Sequence, residues 1–479
     1  MSIDQAKKLN SRGNALAREG YLDEAITAYR QALEQDPKHA LAHNNLANAL
    51  KEQGQLQASI DHYRRAAELA PDRPEIQLNL GLAVAQLRLL DRDCDAAMAT
   101  LVALKPADHP ERRFYLAMAR KLAGDNKGAA DDLREALRRR PLYPHATSAG
   151  SGPRVLLTYS TDRLDFEPML DGGVSFEVRG GHFSAPAFLA RDRYRLHNLW
   201  VSDSREFQEA VRHLAGFDVI VNTIADPEIN ARALGLLNDA LVDIDVPVIN
   251  RPQQVLDTTR QAISHRLQEI PGVVSPRTQQ VRGSADLKAW AGTGLGLPAL
   301  VRPLGSSTGI GLEKISSIPA LQDRIDRLGG RTINLCPFVD FASPDGLYRK
   351  YRVFVIDGNV LPEHCVICDD WNVHSSSRMK LMRASATLRQ EEQRFVQDPW
   401  TILSEAHLEA IRRIHASLGL DYFGIDFTIA SERELLVFEA NAGMRINPDY
   451  LSDFPYLAAP IEQIKRACNQ MLLNRVTAR

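Results

Sequence analysis

The pattern of apolar and polar positions changes after the first third of the chain. Up to about residue 145, small, aromatic and proline residues recur at a spacing of 34 positions. The first copy holds Gly20, Ala25, Tyr29, Ala32 and Pro37, and the second holds Gly54, Ser59, Tyr63, Ala66 and Pro71. From residue 154 onward, short apolar runs alternate with helical stretches. The chain is therefore predicted to be multidomain, with an all-α repeat region followed by an α/β region.

The spacing and residue types of the repeat resemble the tetratricopeptide repeat. Small residues let two antiparallel helices approach closely, and each proline closes a repeat because it cannot continue a helix. A weaker copy ends at Pro106 and a clearer one at Pro141, so residues 1–145 are expected to hold about four repeats. The resemblance implies a solenoid whose concave face binds a peptide or protein.

Asparagines are the candidate partner-binding residues of this region. Asn14, Asn48 and Asn45 fall on first helices, which line the inner face in this family. An amide can bond a peptide backbone through both its donor and its acceptor. Ordinary surface polarity is the alternative, and the sequence leaves both open.

The remaining two thirds of the chain predict an α/β fold. Residues 154–159, 217–222 and 246–250 are short apolar runs typical of buried strands. Because helical stretches lie between these runs, a small parallel sheet is expected. A stretch rich in Ala, Gly and Ser that ends in Pro predicts a linker at 146–153.

Composition narrows the classes of function. Charged residues make up 25 % of the chain and the net charge is −2, so no global attraction to nucleic acid or to an anionic membrane is expected. No apolar run is long enough to span a bilayer, and the first five residues do not resemble a secretory signal. Five scattered cysteines favour a reducing compartment, so a cytoplasmic location is expected. A homodimer is compatible with these features.

Two apolar runs near the C-terminus, 424–427 and 437–441, predict a hairpin around a polar turn. With the turn centred between them, Asp426 lies opposite Glu439, and Asn441 shares the face of Glu439. Like charges opposite each other destabilise a hairpin, and a bound cation removes that repulsion. Oxygen-only ligands suit magnesium, which commonly accompanies phosphates. A solvated acidic edge is the alternative.

A glycine-rich loop follows the apolar run at 297–303. Its candidate phosphate-binding residues are Gly305, Ser306, Ser307, Thr308 and Gly309. Free backbone N–H groups in such a loop can close over phosphate oxygens. The loop lacks the Gly-Lys-Ser/Thr ending of a Walker motif, and a plain hairpin turn is the alternative.

The order of these motifs resembles the ATP-grasp superfamily. A strand with a basic residue and proline is followed by Gly-Ser-Ser-x-Gly-x-Gly, then by Gly-Ile-Asp-Phe and Phe-Glu-Ala-Asn. The resemblance runs from about Arg154 to the C-terminus and is closest to the glutathione synthetase and ribosomal-protein glutamate ligase branch. It implies a pre-ATP-grasp domain at 154–255, a lid subdomain at 256–335 and a C-terminal subdomain with a metal site at 336–479.

The resemblance also implies roles for individual residues. Asp426, Glu439 and Asn441 match the magnesium ligands, with two ions expected and Mn²⁺ as the alternative metal. Arg302 and Arg260 stand where lysines contact the ATP phosphates. Arginine keeps the positive charge but presents it on a wider planar group.

The hinge beside adenine is expected at Pro337, Phe338 and Val339, with Asp340 as a ribose contact. Arg352 matches an arginine that faces the acyl-phosphate, so Arg352 and Arg302 are the candidate catalytic residues. The candidate substrate-binding residues are Arg445, His374 and Asn372.

The expected activity is ATP-dependent ligation of a carboxylate to an amine through an acyl-phosphate. A fused peptide-binding array indicates a peptide or protein substrate. Two alternatives stay open from the sequence. One is a ligase for a small metabolite whose repeats act as a scaffold, and the other is a degenerate ATP-binding sensor or adaptor.

Overall fold

The computed structural model describes residues 3–145, 151–190, 192–293, 296–306, 311–446 and 448–477. The chain divides into two compact units. The repeat unit comprises Met1–Arg140 and Leu164–Arg179, and the site unit comprises Pro141–Arg163 and Gly180–Arg479. Within the described residues, no helix is both long enough and apolar enough to cross a membrane.

The helices are α1 (Ile3–Arg18), α2 (Leu22–Gln35), α3 (Ala40–Glu52), α4 (Leu56–Leu69), α5 (Pro74–Leu90), α6 (Cys94–Ala103), α7 (Pro110–Leu122), α8 (Asn126–Arg139), α9 (Ala185–Phe188), α10 (Arg205–Val211), α11 (Pro227–Ala240), α12 (Pro252–Leu256), α13 (Arg260–Gln268), α14 (Ser284–Gly292), α15 (Ile318–Arg327), α16 (Ala386–Gln397), α17 (Glu405–Leu418) and α18 (Ala458–Thr477). The strands are β1 (Leu142–Pro144), β2 (Arg154–Ser160), β3 (Asp165–Met169), β4 (Ser175–Arg179), β5 (Arg195–Val201), β6 (Val219–Asn222), β7 (Val248–Ile249), β8 (Val273–Val274), β9 (Gln279–Val281), β10 (Ala299–Pro303), β11 (Glu313–Ile315), β12 (Ile333–Pro337), β13 (Tyr348–Ile356), β14 (Asn359–Cys368), β15 (Tyr422–Ile429) and β16 (Leu435–Asn441).

The repeat unit consists of helix pairs, as the 34-residue pattern predicts. Within it, α1 packs on α2, α3 on α4, α5 on α6 and α7 on α8. Small residues make this close approach feasible: a Cβ atom on Gly13 would lie 2.4 Å from the ring of Tyr29. The aromatic and aliphatic side chains between neighbouring helices, including Tyr29, Leu46 and Leu50, form the core.

The third helix pair departs from the repeat pattern at the turn between its two helices. Gly20, Gly54 and Gly124 occupy this turn with φ angles of 86°, 78° and 89°. In the third pair Arg92 takes the left-handed conformation, with φ of 59°. A side chain at such an angle is strained, whereas glycine is not.

The described residues of the site unit form three sheets. The first has the order β1-β5-β2-β6-β7, in which β2, β5, β6 and β7 run parallel and β1 runs antiparallel to β5. The second, β11-β10-β12-β9, is antiparallel. The third has the order β14-β13-β15-β16-β8, with β8 parallel to β16 and the other neighbours antiparallel. The fold class expected from the sequence, helical repeats followed by an α/β region, is confirmed.

The predicted domain boundaries differ from this division for two segments, one before β2 and one after it. The sequence predicts Leu142–Pro144 within the repeat domain 1–145, whereas in the structure it is β1 and pairs with β5 of the site unit. The sequence predicts Leu164–Arg179 within the domain 154–255, whereas in the structure it belongs to the repeat unit. The reason is aromatic packing, because Phe176 of β4 lies 5.9 Å from Phe114 of α7 between ring centroids. Of the predicted linker 146–153, residues 146–150 lie outside the described residues.

Candidate active site

Four charged or titratable side chains form a row across the third sheet. His364 on β14 pairs with Arg352 on β13. Arg352 pairs in turn with Asp426 on β15, and Asp426 pairs with Glu439 on β16. Cross-strand partners project from the same face of a sheet, so these side chains lie side by side. The predicted hairpin is present, and Asp426 lies opposite Glu439 as predicted.

That opposition depends on a β-bulge which the sequence pattern did not reveal. On the turn side of the bulge, Phe427 pairs with Val437, so Phe438 has no partner in the ladder. With an unbroken register, Asp426 would oppose Phe438 instead of Glu439. A bulge of this kind re-aims the side chains beyond it.

A second bulge lies in the neighbouring strand pair. The register shifts between Arg352, which pairs with His364, and Val353, which pairs with Pro362, so Glu363 is the extra residue. The Nδ1 atom of His364 lies 3.2 Å from a carboxylate oxygen of Glu363. Both side chains are almost fully buried, and burial lowers the pKa of His364 to about 4.

Asp426 is buried and already neutralised by cations. Its carboxylate accepts two hydrogen bonds from Arg352, at 2.6 Å from Nε and 2.9 Å from Nη2. The Nζ atom of Lys350 lies 3.2 Å from the second oxygen. Burial alone would raise the pKa of Asp426, but the charges of Arg352 and Lys350 hold that pKa well below its usual range.

Glu439 has a different cation. Its carboxylate accepts a hydrogen bond of 2.9 Å from Nη2 of Arg260. Burial would raise the pKa of Glu439, and the charges of Arg260 and Arg302 lower it. Asn441 follows two residues later on the same face, and its Oδ1 accepts the N–H of Gly443 at 2.9 Å.

Asp426 and Glu439 could therefore bind a magnesium ion only if their carboxylates first gave up hydrogen bonds to Arg352 and Arg260. Among the described residues, no group of three or more His, Cys, Asp or Glu side chains is arranged to hold a metal ion. The predicted ligands, two carboxylates and one amide, supply oxygen atoms alone, which is the chemistry that magnesium prefers. The side chain of Glu439 is 25 % exposed, so a ligand can reach it. The like-charge repulsion expected in the hairpin is removed here by arginine side chains.

The two arginines predicted to bind phosphate lie beside this row. Arg302 is on β10 next to Asn334 of β12, and its Nε is buried without a hydrogen-bond partner among the described residues. Burial lowers the pKa of Arg302, and the charge of Glu439 opposes that shift. Arg260 begins α13 and also donates from Nη2 to the carbonyl oxygen of Ser306, at 3.3 Å. The structure thus brings Arg260, Arg302 and Glu439 together.

The described part of the glycine-rich loop begins at this cluster. Gly305 has a φ of 66°, and a Cβ atom there would lie 2.4 Å from Cγ2 of Ile229. The hydroxyl of Ser306 donates to the carbonyl of Pro303 at 2.8 Å. The other predicted loop contacts, Ser307, Thr308 and Gly309, lie outside the described residues.

The predicted hinge follows the end of β12. Pro337 is the last residue of that strand, and the N–H of Phe338 donates to the carbonyl of Pro298 at 2.8 Å. The Nζ atom of Lys314 lies 3.9 Å from the centre of the Phe338 ring and 5.3 Å from that of Trp371. Neither Lys314 nor Trp371 was singled out for this position.

The ends of the predicted hinge are more open. Val339 is 37 % exposed. The carboxylate of Asp340 accepts the N–H of Ala342 at 3.2 Å, which fixes the turn that follows. A ribose contact from Asp340 stays a prediction.

The three predicted substrate residues differ in their relation to the row. Arg445 is exposed, and its carbonyl oxygen accepts a hydrogen bond of 3.4 Å from Nη1 of Arg352. Burial lowers the pKa of His374, and the charges of Lys350 and Arg302 lower it further, so the imidazole lies among the site cations. For Asn372 the structure gives a backbone N–H donated to Asp370 at 2.8 Å, a turn contact.

The asparagines of the repeat unit lie on first helices, as predicted, but they bond one another. The amide of Asn45 donates to Asn10 and Asn14, at 3.0 and 2.9 Å. The hydroxyl of Tyr29 donates to Asn14, and that of Tyr63 donates to Asn48. These side chains therefore have a structural role, and a partner-binding role for them stays a prediction.

Two site residues were missed by the sequence reasoning. Lys350 precedes Arg352 by two positions on one strand, so the two-residue period of a strand could have placed it on the same face. Glu228 lies in the first turn of α11, and it belongs to no sequence motif that would have indicated its role. Its carboxylate accepts hydrogen bonds from Arg260 and from Asn334, and its side chain is 1 % exposed.

Comparisons with known proteins agree with the repeat assignment. The family model described as TPR repeat matches residues 13–54 and 47–87. The N-terminal repeats are therefore tetratricopeptide repeats in this part of the chain. The curated proteins contain no match to this sequence.

Several solved structures are similar to the chain. A D-alanine–D-alanine ligase from Bacillus anthracis is 11 % identical, with a TM-score of 0.40, over 68 % of this chain and all of that chain. A RimK domain protein described as ATP-grasp, from Sphaerobacter thermophilus, is 15 % identical, with a TM-score of 0.35, over 67 % and 99 % of the two chains. The ATP-grasp ligase PsnB, complexed with a minimal precursor, Mg and ADP, is 15 % identical, with a TM-score of 0.32, over 52 % and 78 %. Since these scores are below 0.5, the likeness by itself carries no inference about function.

Proposed function

We propose that the chain is an ATP-dependent ligase that joins a carboxylate to an amine through an acyl-phosphate. The observation that carries this proposal is the row on the third sheet. There, Asp426 and Glu439 lie side by side, and each is held by an arginine. Exchangeable carboxylates beside clustered cations are what a magnesium-bound polyphosphate requires.

The side chains fit the parts of such a reaction. Asp426, Glu439 and Asn441 would hold magnesium, which, when bound, offsets negative charge on the phosphates during phosphoryl transfer. Arg302 has a buried Nε without a partner among the described residues, so it can bond a phosphate oxygen without breaking an existing bond. Arg260 would turn its Nη2 from Glu439 to a phosphate.

Arg352 and Lys350 lie on the other side of Asp426 and would act on the acyl group. The guanidinium of Arg352 would stabilise the oxyanion formed when the amine attacks. Arg445 and His374 lie beside this end of the row and would bind the substrate carboxylate.

A peptide or protein substrate is the class that the repeat unit favours. Its helix pairs match a repeat that commonly binds peptides, and fusion to the ligase would raise the local substrate concentration. Deleting the repeat unit should therefore raise KM for the native substrate far more than it lowers kcat. The deletion must also replace Leu164–Arg179 by a short loop, because the β3–β4 hairpin otherwise exposes Phe166 and Phe176. Unchanged kinetics in the shortened protein would favour the scaffold alternative.

The activity can be tested without knowing the amine. Hydroxylamine replaces the amine and traps an acyl-phosphate as a hydroxamate, while ADP formation is followed with ATP and magnesium. A panel of acidic peptides supplies the carboxylate. Peptide-dependent ADP and hydroxamate formation by the wild type, absent in Glu439→Gln, is the expected result. Hydroxamate formed equally by both proteins would contradict the assignment.

A sensor that binds ATP without turnover is the second candidate. The observation that favours it is the pairing of Glu439 with Arg260, in which the carboxylate and the guanidinium already occupy each other. The resemblance stated above adds that Arg260 and Arg302 stand where lysines are expected. It predicts tight, stoichiometric ADP or ATP binding with no ADP formation for any carboxylate in the same panel.

A further inference from the structure

Glu228 is a buried acid in a place where an acid is unfavourable for phosphate binding. It lies in the first turn of α11, and its side chain is only 1 % exposed. It contacts Arg260, one of the two arginines proposed to bind phosphate. A carboxylate this close to a bound polyphosphate repels it by Coulomb's law, so the simplest expectation is that Glu228 weakens nucleotide binding.

The hydrogen bonds of Glu228 point to a different role. One carboxylate oxygen accepts the backbone N–H of Arg260 at 3.2 Å, and the other accepts Nη1 of the same residue at 3.4 Å. The amide of Asn334 donates to both oxygens, at 3.0 and 3.1 Å. The carboxylate therefore fixes the start of α13, the guanidinium of Arg260 and strand β12 at one point.

The two acids that hold Arg260 are not equivalent. Glu228 has further hydrogen bonds and almost no exposure, whereas the side chain of Glu439 is 25 % exposed and bonds Arg260 through Nη2. An incoming ligand can replace Glu439 but not Glu228. Nη1 of Arg260 thus stays fixed, while Nη2 faces Glu439 and the carbonyl of Ser306.

The same turn of α11 also supports the second arginine and the glycine-rich loop. Asn334 lies directly beside Arg302 in the register of β12 and β10. Ile229, the residue after Glu228, lies so close to Gly305 that a Cβ atom there would be 2.4 Å from it. The first turn of α11 therefore contacts Arg260 directly, and it contacts Asn334, the neighbour of Arg302.

We propose that Glu228 is a positioning residue of the nucleotide site, which orients Arg260 and Asn334 so that the two arginines meet the phosphates together. This inference rests on the proposed function, because it takes the ligand at Arg260 and Arg302 to be a nucleotide phosphate. Its effect on affinity has the opposite sign to that of simple charge repulsion.

The sign is tested with Glu228→Gln, which keeps the shape and one acceptor oxygen. ADP binding in magnesium buffer is measured by calorimetry, with intact folding checked by thermal unfolding. Loss of a charge-assisted hydrogen bond to Arg260 should weaken ADP binding by about tenfold or more. The matched control is Glu405→Gln, another first-turn glutamate paired with an arginine, Arg412 at 2.8 Å, but 76 % exposed. It should leave ADP affinity unchanged.

Hydrogen exchange of the nucleotide-free full-length chain gives a second readout that needs no ligand. Glu228→Gln and Asn334→Ala should each speed exchange in β12, and Glu228→Gln should also do so at the start of α13, while Glu405→Gln should do neither. Unchanged or tighter ADP binding by Glu228→Gln would overturn the positioning role while leaving the proposed function standing.

If the wild type bound no ADP, the proposed function would fail instead, and exchange alone would decide. Faster exchange in both variants would then still support Glu228 as the residue that orients Arg260. Unchanged exchange would overturn it.

Discussion

The tyrosine–asparagine contacts of the repeat unit and the charged row of the site unit satisfy their polar groups in opposite ways. In the repeat unit, neutral side chains bond one another, and the same bond recurs one repeat later: Tyr29 to Asn14, then Tyr63 to Asn48. In the charged row, Asp426 is paired with Arg352 and Glu439 is paired with Arg260.

This difference distinguishes polar side chains that stabilise the fold from polar side chains that a ligand can bind. A neutral hydrogen bond contributes about 1 kcal/mol, and a ligand has little to gain by replacing it. A buried ion pair is costly to break by removing one partner, yet a ligand of the same charge can replace that partner. Removing Asp426 or Glu439 is therefore costly, although a metal ion could take the place of the arginine that each one bonds.

The largest effect on stability is expected from Asp426→Ala. It leaves Arg352 and Lys350 without their carboxylate, and removing one partner of a buried ion pair costs about 3–5 kcal/mol. The free energy of unfolding in urea measures this loss. The matched control is Asp369→Ala, since Asp369 pairs with Lys380 at 2.8 Å but both are well exposed, and an exposed pair contributes little to stability. Equal losses in the two variants would contradict the account.

The next effect is a loss of stability at acidic pH. It is expected from a buried histidine of the site unit and is compared with a half-buried histidine of the repeat unit. His182 of the site unit accepts the N–H of Ser160 on Nε2 at 3.0 Å, so its neutral form is required, and burial lowers its pKa to about 4. Because an unfolded histidine titrates near pH 6.5, the unfolded state binds the proton more readily. This contribution to stability is complete above pH 6.5 and is lost as the pH falls towards 4.

The expected loss from His182 is about 2 kcal/mol between pH 7.5 and pH 5. Urea unfolding at both pH values checks it, and His182→Gln should show a smaller pH dependence than the wild type. The control is His43→Gln in the repeat unit, where burial also lowers the pKa but the ring is only half-buried. A wild-type pH dependence retained in His182→Gln would show that His182 is not its source.

A smaller effect is expected for nucleotide binding at Arg302. Arg302→Ala removes a charged donor to phosphate and should weaken ADP binding by about 1.5–3 kcal/mol, while Arg302→Lys should recover much of it. Calorimetry measures both. Equal affinity in the wild type and in Arg302→Ala would remove Arg302 from the site.

The smallest effect is expected for the repeats. Tyr63→Phe removes one neutral hydrogen bond to Asn48 and should lower the free energy of unfolding by about 1 kcal/mol. Tyr29→Phe should cost a similar amount, because the same bond recurs there. A clear difference between the two variants would show that the repeats are not energetically periodic.

The sequence predicted what depends on a period. The 34-residue spacing gave the helix pairs, and short apolar runs gave β2, β6, β7 and β10. The predicted hairpin also placed Asp426 opposite Glu439. The observed register contains a bulge at Phe438, which a periodic pattern cannot show.

What depends on distant contacts could not be predicted in this way. Glu228 meets Arg260 and Asn334 only through the fold, since each lies on a different element. The β3–β4 hairpin belongs to the repeat unit because of aromatic packing on Phe114, which the order of elements along the chain does not reveal.

The most direct test of the account is the magnesium dependence of ADP binding. Calorimetry with the full-length chain compares ADP affinity in magnesium and in EDTA, for the wild type and for Glu439→Gln. The account predicts that magnesium raises the wild-type affinity by about tenfold or more, or about 1.4 kcal/mol, and that Glu439→Gln loses this gain. No ADP binding, or the same gain in both proteins, would contradict it.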